Sequence, residues 1–127
     1  MIVLDASALL TLLNQELGWD VLARQTTNES ATISAINYAE VLQKVVRLDI
    51  AVERVDAEME VLGITVTPFG RLDARLAASF YRHRSGLSLA DRVCLALARR
   101  LSSTAYTTDR IWETWASEFD VQVVVIR

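Results

Sequence analysis

The sequence predicts an α/β fold built on a five-stranded parallel sheet, and three observations support this prediction. Short apolar or β-branched runs alternate with longer stretches of helical periodicity along the whole chain. Every connection between successive strands contains a helix, as parallel strands require. The final run, Val121 to Ile126, is almost continuously apolar, which is typical of a strand covered on both faces. We therefore expect a doubly wound sheet with right-handed crossovers.

The first half of the chain begins with a short apolar run that ends in Asp5 and turns into a helical pattern from Ser7. Glycine and polar residues mark the later breaks, and Asp49 is placed to cap the helix that follows it. The sequence predicts strands at 2–4, 31–33 and 64–67, helices from residue 7 and at 18–25, 34–48 and 50–62, and a polar turn at 26–30. The predicted apolar side of the 34–48 helix consists of Ile36, Ala39, Leu42, Val45 and Val46.

The second half starts where Pro68 stops the third strand. An arginine-bearing helix follows, and after the Ser85-Gly86 break comes a helix that is apolar almost all round, which indicates deep burial. The predicted helices cover 71–84 and 89–101, with a short one after residue 110, and the predicted strands cover 104–107 and 121–126. The inward residues of the 71–84 helix are expected to be Leu72, Leu76, Ala77 and Phe80.

Length and composition indicate one globular domain over residues 1–127. Apolar residues make up 52% and charged residues 23% of the chain, which favours a packed core over disorder. No apolar run approaches the roughly 20 residues of a membrane span, and no secretory signal is recognisable. Cys94 is the only cysteine, which excludes an internal disulfide. These observations predict a cytoplasmic location.

Basic residues are unevenly distributed in a chain whose net charge is −3. The segment from Arg71 to Arg100 holds seven arginines and two acids, a local balance of +5, while the remainder of the chain balances to −8. A folded surface can therefore carry a cationic zone for nucleic-acid phosphates despite the acidic total. The alternative is that these arginines only solvate the outer faces of two helices.

Four acidic residues lie near the points where predicted strands end or predicted helices begin. Asp5 and Asp109 follow the first and fourth strands, so both carboxylates should reach the same edge of a parallel sheet. Asp91 lies in a helix that is apolar apart from its arginines, where an unpaired acid is costly to bury. Glu40 lies in the long helix after the second strand. The carboxyl edge of the sheet would gather all four.

Each of these acids also has a purely structural explanation, either a helix cap or an ion pair within one helix. The first helix could be capped by Asp5, although Ser7 is better placed to do so. The other candidates are a cap by Thr108 or Asp109, a capping box from Ser88 to Asp91, and an ion pair of Glu40 with Lys44.

Taken together, the four acids indicate a metal site more strongly than each does alone. Four carboxylates in one cleft repel one another unless a cation compensates them or some are protonated. Hard oxygen ligands without clustered histidine or cysteine favour Mg²⁺ or Mn²⁺. His83 is isolated and Cys94 is expected to be buried packing, so neither is a candidate ligand.

The four acids lie in four short motifs that span nearly the whole chain and fall at the ends of predicted elements. The motifs are Ile2-Val3-Leu4-Asp5-Ala6-Ser7-Ala8, Ser34-Ala-Ile-Asn37-Tyr-Ala-Glu40-Val41, Leu87-Ser88-Leu89-Ala90-Asp91 with the alanine-rich helix after it, and Thr107-Thr108-Asp109-Arg110. In sequence and in order they resemble the motifs of PIN-domain proteins, and more narrowly those of the small VapC-type toxins of bacterial toxin–antitoxin pairs.

This resemblance implies a three-layer α/β/α sandwich with strand order 3-2-1-4-5 and a Mg²⁺-dependent endoribonuclease. It also implies a homodimer, and a cognate antitoxin that binds over the site and inhibits it. Ser7 and Thr108 would be polar supports, and Asn37 would orient the glutamate of the second motif. The catalytic and metal-binding acids would be Asp5, Glu40, Asp91 and Asp109.

The chemistry that these residues would support is metal-assisted hydrolysis of RNA phosphodiester bonds. Asp5 and Asp91 are expected to be the central ligands, with Asp109 and Glu40 completing the shell or holding metal-bound water. Arginines of the 71–100 segment would neutralise RNA phosphates away from the cut.

Other classes of α/β protein fit this sequence less well. A haloacid-dehalogenase-like phosphatase would need a second acid where the chain has Ser7, and a phosphoacceptor receiver domain would need an aspartate where it has Thr67-Pro68. The main alternative is a catalytically silent PIN-fold module that binds a protein or RNA. Its partner groove would use Trp19, Trp112 and Trp115, although aromatic residues at helical spacing more often form core.

Overall fold

The computed structural model describes all 127 residues, which form five strands and seven helices. Every predicted strand and helix is present, and none of the helices combines the length and apolarity that a bilayer span needs. The elements in chain order are β1 (Ile2–Leu4), α1 (Ala6–Leu13), α2 (Trp19–Asn28), β2 (Ala31–Ser34), α3 (Ala35–Arg47), α4 (Val52–Leu62), β3 (Ile64–Thr67), α5 (Arg71–Ser79), α6 (Leu89–Arg100), β4 (Thr104–Thr107), α7 (Ile111–Phe119) and β5 (Val123–Val125).

All five strands pair in parallel in the order β3-β2-β1-β4-β5, which confirms the predicted fold class and strand order. β1 is the central strand, and its Leu4 lies level with Ile33 of β2 and Tyr106 of β4. Because the strands are parallel, the residues that follow them all reach the same edge of the sheet. Asp5 therefore emerges at the middle of that edge.

Helices cover both faces of the sheet and complete the three-layer arrangement. Ile2 and Leu4 pack with α1, α2, α3 and α4 in one core cluster, whereas Val3 packs with α5, α6 and α7 in the other. This division follows from the alternation of side chains along a strand. Residues 93–98 of α6 are all buried, as the apolar sequence of this helix predicts.

The helix α2 extends through the first part of the segment predicted as a polar turn. The hydroxyl groups of Thr26 and Thr27 donate hydrogen bonds of 3.1 Å and 2.9 Å to the carbonyl oxygen of Ala23. These bonds satisfy the hydroxyls within the helix, so they do not compete with it. At the other end of the chain, β5 is shorter than predicted, and as an edge strand its three residues are only half-buried.

Two further helix boundaries differ from the prediction because of the conformation of neighbouring residues. Asp49 does not cap α4, since its own backbone is left-handed with a φ of 56° and Ala51 occupies the cap position. The helix α5 ends before the predicted Arg84. Just beyond this end, Phe80 stacks on Phe119 with ring centroids 4.3 Å apart.

Polar side chains occupy two inward positions that the predicted apolar faces did not include. In α3 the amide of Asn37 is turned inward and is 1% exposed. In α5 the carboxylate of Asp73 is turned inward and pairs with Arg100 at 2.6 Å. These polar contacts fix the rotation of each helix, which a hydrophobic pattern cannot show. Four residues that were predicted to be buried are exposed instead, namely Ile36, Ala39, Val46 and Leu72.

Gly18 lies in the connection between α1 and α2, against the end of the chain. Its φ of +97° is left-handed, and a Cβ there would overlap the carbonyl oxygen of Ile126. Gly18→Ala is therefore expected to lower the free energy of unfolding by about 2–3 kcal/mol, as measured by denaturant unfolding. The matched control is Gly63→Ala, where φ is +71° but no atom lies within 4 Å. This control should lose only about 1 kcal/mol, and equal losses would contradict the overlap with Ile126.

Candidate active site

A cleft of about 460 Å³ opens at the carboxyl edge of the sheet. Its walls come from the turn after β1, from α3, from the first turn of α6 and from the turn after β4. All four predicted acids line it, namely Asp5, Glu40, Asp91 and Asp109. The predicted supporting residues Ser7, Asn37 and Thr108 also line it, together with Ala6, Lys44 and Arg110. The fold thus brings every residue of the predicted site into one cleft, while their chemical roles remain predictions.

Asp5 is fixed at the base of the cleft by three hydrogen bonds. Its Oδ1 accepts from Ser7 Oγ and from the backbone N–H of Ala8, both at 2.7 Å, and its Oδ2 accepts from Thr107 Oγ1 at 2.6 Å. The bond from Ala8 makes Asp5 the N-cap of α1, so the preference for Ser7 as the cap was wrong. A carboxylate oxygen has two lone pairs, so Oδ2 can accept a further contact.

Asp91 forms the predicted capping box at the start of α6. Its Oδ2 accepts from the backbone N–H of Ser88 at 2.9 Å, and its own N–H donates to Ser88 Oγ at 3.0 Å. Neither bond uses Oδ1 of Asp91, which has no hydrogen-bond partner in the protein. The capping explanation is therefore correct, and it still leaves one carboxylate oxygen able to bind a cation.

Asn37 connects the two helices that carry Glu40 and Asp91. Its Nδ2 donates hydrogen bonds of 3.0 Å to Glu40 Oε2 and of 3.0 Å to the carbonyl oxygen of Ala90. The buried Oδ1 of Asn37 has no partner. The ion pair between Glu40 and Lys44 is absent, since none of the six ion pairs in the structure includes either residue. Asn37 rather than Lys44 therefore holds Glu40 in place.

Thr107 belongs to the fourth motif, but no role in the site was predicted for it. Its hydroxyl donates to Asp5 and accepts from the backbone N–H of Asp109 at 3.1 Å, so it links two of the acids. The strand register places it there, because Leu4 pairs with Tyr106 and the next residues along the two strands, Asp5 and Thr107, are neighbours. Thr108, the predicted support, contributes its backbone N–H to Ser7 Oγ at 3.1 Å.

Asp109 also caps the turn into α7. Its Oδ1 accepts from the backbone N–H of Ile111 at 3.1 Å, which agrees with the structural explanation considered for this residue. Its Oδ2 has no partner in the protein, and the residue is exposed at the rim of the cleft. Asp109, like Asp91, combines a capping role with one uncommitted carboxylate oxygen.

Burial and mutual repulsion raise the pKa values of acids in the cleft. Asp5 is 6% exposed, and burial raises its pKa from 3.8 to about 6 despite its hydrogen bonds; the charge of Asp91 adds to this rise. Burial likewise raises the pKa of Asp91, with a contribution from Asp109. The buried thiol of Cys94 has a raised pKa, mainly through burial and additionally through the charges of Asp5, Asp91 and Glu40. The acids are thus close enough to influence one another.

The donor chemistry of the cleft suits a hydrated divalent cation. None of the six ion pairs includes any of the four acids, so no protein cation compensates them directly. No group of three or more acidic, histidine or cysteine side chains could hold a metal ion as a ready-made cage. Mg²⁺ generally binds through one or two carboxylates and keeps several waters. The residues therefore fit such an ion, and do not fit one that needs a closed cage of protein ligands.

The parallel sheet with acids gathered at its carboxyl edge is the arrangement of a known class of protein. The PIN domain matches residues 2–116, and the chain therefore belongs to the PIN-domain family. PIN domains are generally nucleases. None of the curated proteins matches the chain at a significant level.

Solved structures of similar fold cover nearly the whole chain. FitAB bound to the IR36 DNA fragment has a TM-score of 0.71 and 23% identity, over 98% of this chain and 94% of that one. VapBC2 from Rickettsia felis, bound to a promoter DNA fragment, has a TM-score of 0.70 and 16% identity, over 98% of each chain. FitAcB from Neisseria gonorrhoeae has a TM-score of 0.63 and 23% identity, over 97% and 96%. At these identities the likeness establishes the fold.

Proposed function

We propose that this PIN-domain protein is a Mg²⁺-dependent endoribonuclease that acts as the toxin of a toxin–antitoxin pair. The observation that carries this proposal is the convergence of four acids from four segments in one cleft, without a protein cation paired to any of them. A negatively charged cleft of this kind binds a divalent cation before it can accept an RNA phosphate.

In the proposed reaction, Asp5 and Asp91 would hold the metal ion, and their backbone contacts keep both carboxylates oriented. When bound, Mg²⁺ or Mn²⁺ would lower the pKa of a water molecule and neutralise charge on the phosphodiester oxygens. Glu40, held by Asn37, offers its free oxygen to orient the attacking water. Asp109 has a free oxygen at the rim for the same purpose. The products are two RNA fragments from one hydrolysed phosphodiester bond.

The proposed partners follow from the relatives. FitAB, VapBC2 and a toxin–antitoxin complex from Klebsiella pneumoniae share the fold of this chain. We infer by analogy that an antitoxin binds this chain and blocks its cleft, that the chain forms a homodimer, and that it works in the cytoplasm. Measurement of the mass of the purified protein, alone and co-expressed with a candidate antitoxin, would test whether it binds an antitoxin and whether it forms a homodimer.

The alternative of a catalytically silent binding module has less support. Its tryptophan groove does not form, because Trp112 is fully buried among α5, α6 and α7, whereas Trp19 is exposed on α2, a helix that packs on the other face of the sheet. Trp115 is half-buried, and its Nε1 donates to the carbonyl oxygen of Ser85 at 3.0 Å. The three residues therefore offer no common surface to a partner.

Metal dependence is the first test of the proposed function. Purified protein, freed of any co-purified partner by unfolding and refolding, should cut a structured RNA when Mg²⁺ or Mn²⁺ is present. The same protein should lose this activity in EDTA and regain it when Mg²⁺ is restored, because the acids cannot orient water without a cation. Gel analysis of end-labelled RNA measures the cleavage. Cutting that persists in EDTA would contradict the metal mechanism, and absence of cutting under all conditions would favour the silent module.

A further inference from the structure

Two cationic side chains line the acidic cleft, and neither has a partner in the protein. Lys44 is the only lysine of the chain and projects from α3, one turn after Glu40. Arg110 immediately precedes α7. Both line the cleft, and neither occurs in any of the six ion pairs. Both charges are therefore available to a ligand.

Lys44 does not serve to neutralise Glu40, although the spacing would allow it. A glutamate followed by a lysine four residues later is the favourable order for an ion pair on a helix. In this structure Glu40 Oε2 instead accepts a hydrogen bond from Asn37. The lysine ammonium therefore remains exposed beside a cleft that is otherwise rich in acids.

The two cations come from the segments that follow the two strands flanking β1. Lys44 lies on the helix that follows β2, and Arg110 follows β4. β1, which ends at Asp5, lies between β2 and β4. A nucleic-acid strand that crosses the cleft over Asp5 would meet one cation before the central acid and the other after it.

Most of the arginines in the cationic segment predicted from the sequence are engaged within the protein. Arg82 pairs with Glu118 at 2.7 Å and Arg100 with Asp73 at 2.6 Å. The guanidinium groups of Arg92 and Arg99 donate to backbone carbonyl oxygens at 3.1 Å and 2.9 Å. Their role is therefore largely to join α5, α6 and α7. None of these four arginines lines the cleft, so the cations available to phosphates near the cut are those of the cleft itself.

We propose that Lys44 and Arg110 bind phosphates of the RNA strand on either side of the bond that is cut, and so set the path of the strand through the cleft. This inference rests on the proposed ribonuclease function. Four carboxylates repel a polyanion even when a metal ion offsets part of their charge, and flanking cations lower that repulsion. Arg110 can grip a phosphate with two parallel hydrogen bonds, whereas Lys44 acts as a point charge.

Steady-state RNA cleavage at several KCl concentrations tests this proposal with Lys44→Gln and Arg110→Gln. Each variant should raise KM on the order of twofold to fivefold while changing kcat less. Each should also reduce the slope of log(kcat/KM) against log[KCl] by roughly 0.7–0.9, the value for one lost phosphate contact. The double variant should show the sum of both slope changes. The KM of Lys44→Arg should stay close to the wild-type value.

Arg47→Gln is the matched control, because Arg47 is an exposed cation on the same helix that does not line the cleft. It should leave KM and the salt slope unchanged. An unchanged KM and salt slope in Lys44→Gln and Arg110→Gln, with active wild-type protein, would overturn this inference alone. A lowered melting temperature with an unchanged salt slope would show a structural role instead. Inactive wild-type protein would refute the underlying ribonuclease function.

Discussion

Replacement of Asp91 by asparagine should abolish RNA cleavage while the protein stays folded. Asn can accept the same hydrogen bond from Ser88, so the cap of α6 is preserved. What the variant loses is the negative charge of the uncommitted oxygen that we assign to metal binding. Even residues that support a metal site indirectly cost about 10–100-fold when changed, so a direct ligand should cost at least about 100-fold in kcat/KM. Cleavage of end-labelled RNA in Mg²⁺ measures the loss.

The control for Asp91→Asn is Glu113→Gln, which removes an exposed acid from the first turn of α7 outside the cleft. It should retain wild-type cleavage. Both variants should melt within a few degrees of the wild-type protein, and Asp91→Asn should not melt lower in EDTA, because burial already disfavours its charged form. Wild-type cleavage by Asp91→Asn would mean that the acids of this cleft do not perform the reaction.

Replacement of Asp5 by asparagine should stabilise the metal-free protein at pH 7. Burial raises the pKa of Asp5 to about 6, so a charged Asp5 at pH 7 reduces stability. The shift corresponds to at most about 3 kcal/mol. Asparagine keeps the N-cap to Ala8 and can donate to Thr107 instead of accepting from it. We expect the melting temperature in EDTA to rise by roughly 3–10 °C, with a smaller further rise on addition of Mg²⁺ than in wild-type protein.

The stabilisation of the protein by Asp5→Asn should increase as the pH rises. The folded wild-type protein binds the Asp5 proton more tightly than the unfolded chain does. Protonation of Asp5 therefore contributes to wild-type stability fully below pH 3.8, and this contribution is lost as pH rises through about 6. The raised pKa of Asp91 acts in the same direction. The difference in melting temperature between Asp5→Asn and wild type should therefore be small near pH 4 and largest near pH 7.

Asp5→Ala separates the charge of Asp5 from its role as a cap. This variant also removes the repulsive charge, but it leaves the N–H of Ala8 without its acceptor and Thr107 without any hydrogen bond to residue 5, so it should melt lower than Asp5→Asn. A lowered melting temperature in Asp5→Asn itself, with an unchanged response to Mg²⁺, would show that Asp5 acts only as a helix cap.

The sequence by itself determined the order and type of the elements and the segments that carry the acids. Local sequence patterns, namely the apolar run at 2–4, the β-branched and aromatic residues at 104–107 and the all-round apolar α6, identify their elements without knowledge of the fold. Parallel pairing then requires that residues after β1 and β4 share one edge, which is why Asp5 and Asp109 could be placed in one cleft.

Only the tertiary structure decided which side chains hold those acids in position. Thr107 reaches Asp5 across two strands, and Asn37 joins Glu40 to the backbone of Ala90 in another helix. The same structure showed that Lys44 remains unpaired beside the cleft. Hydrogen bonds between distant segments depend on register and on the rotation of each helix, and neither leaves a periodic trace in the sequence. The chain therefore specifies its acids locally, whereas their orientation arises only when the segments pack together.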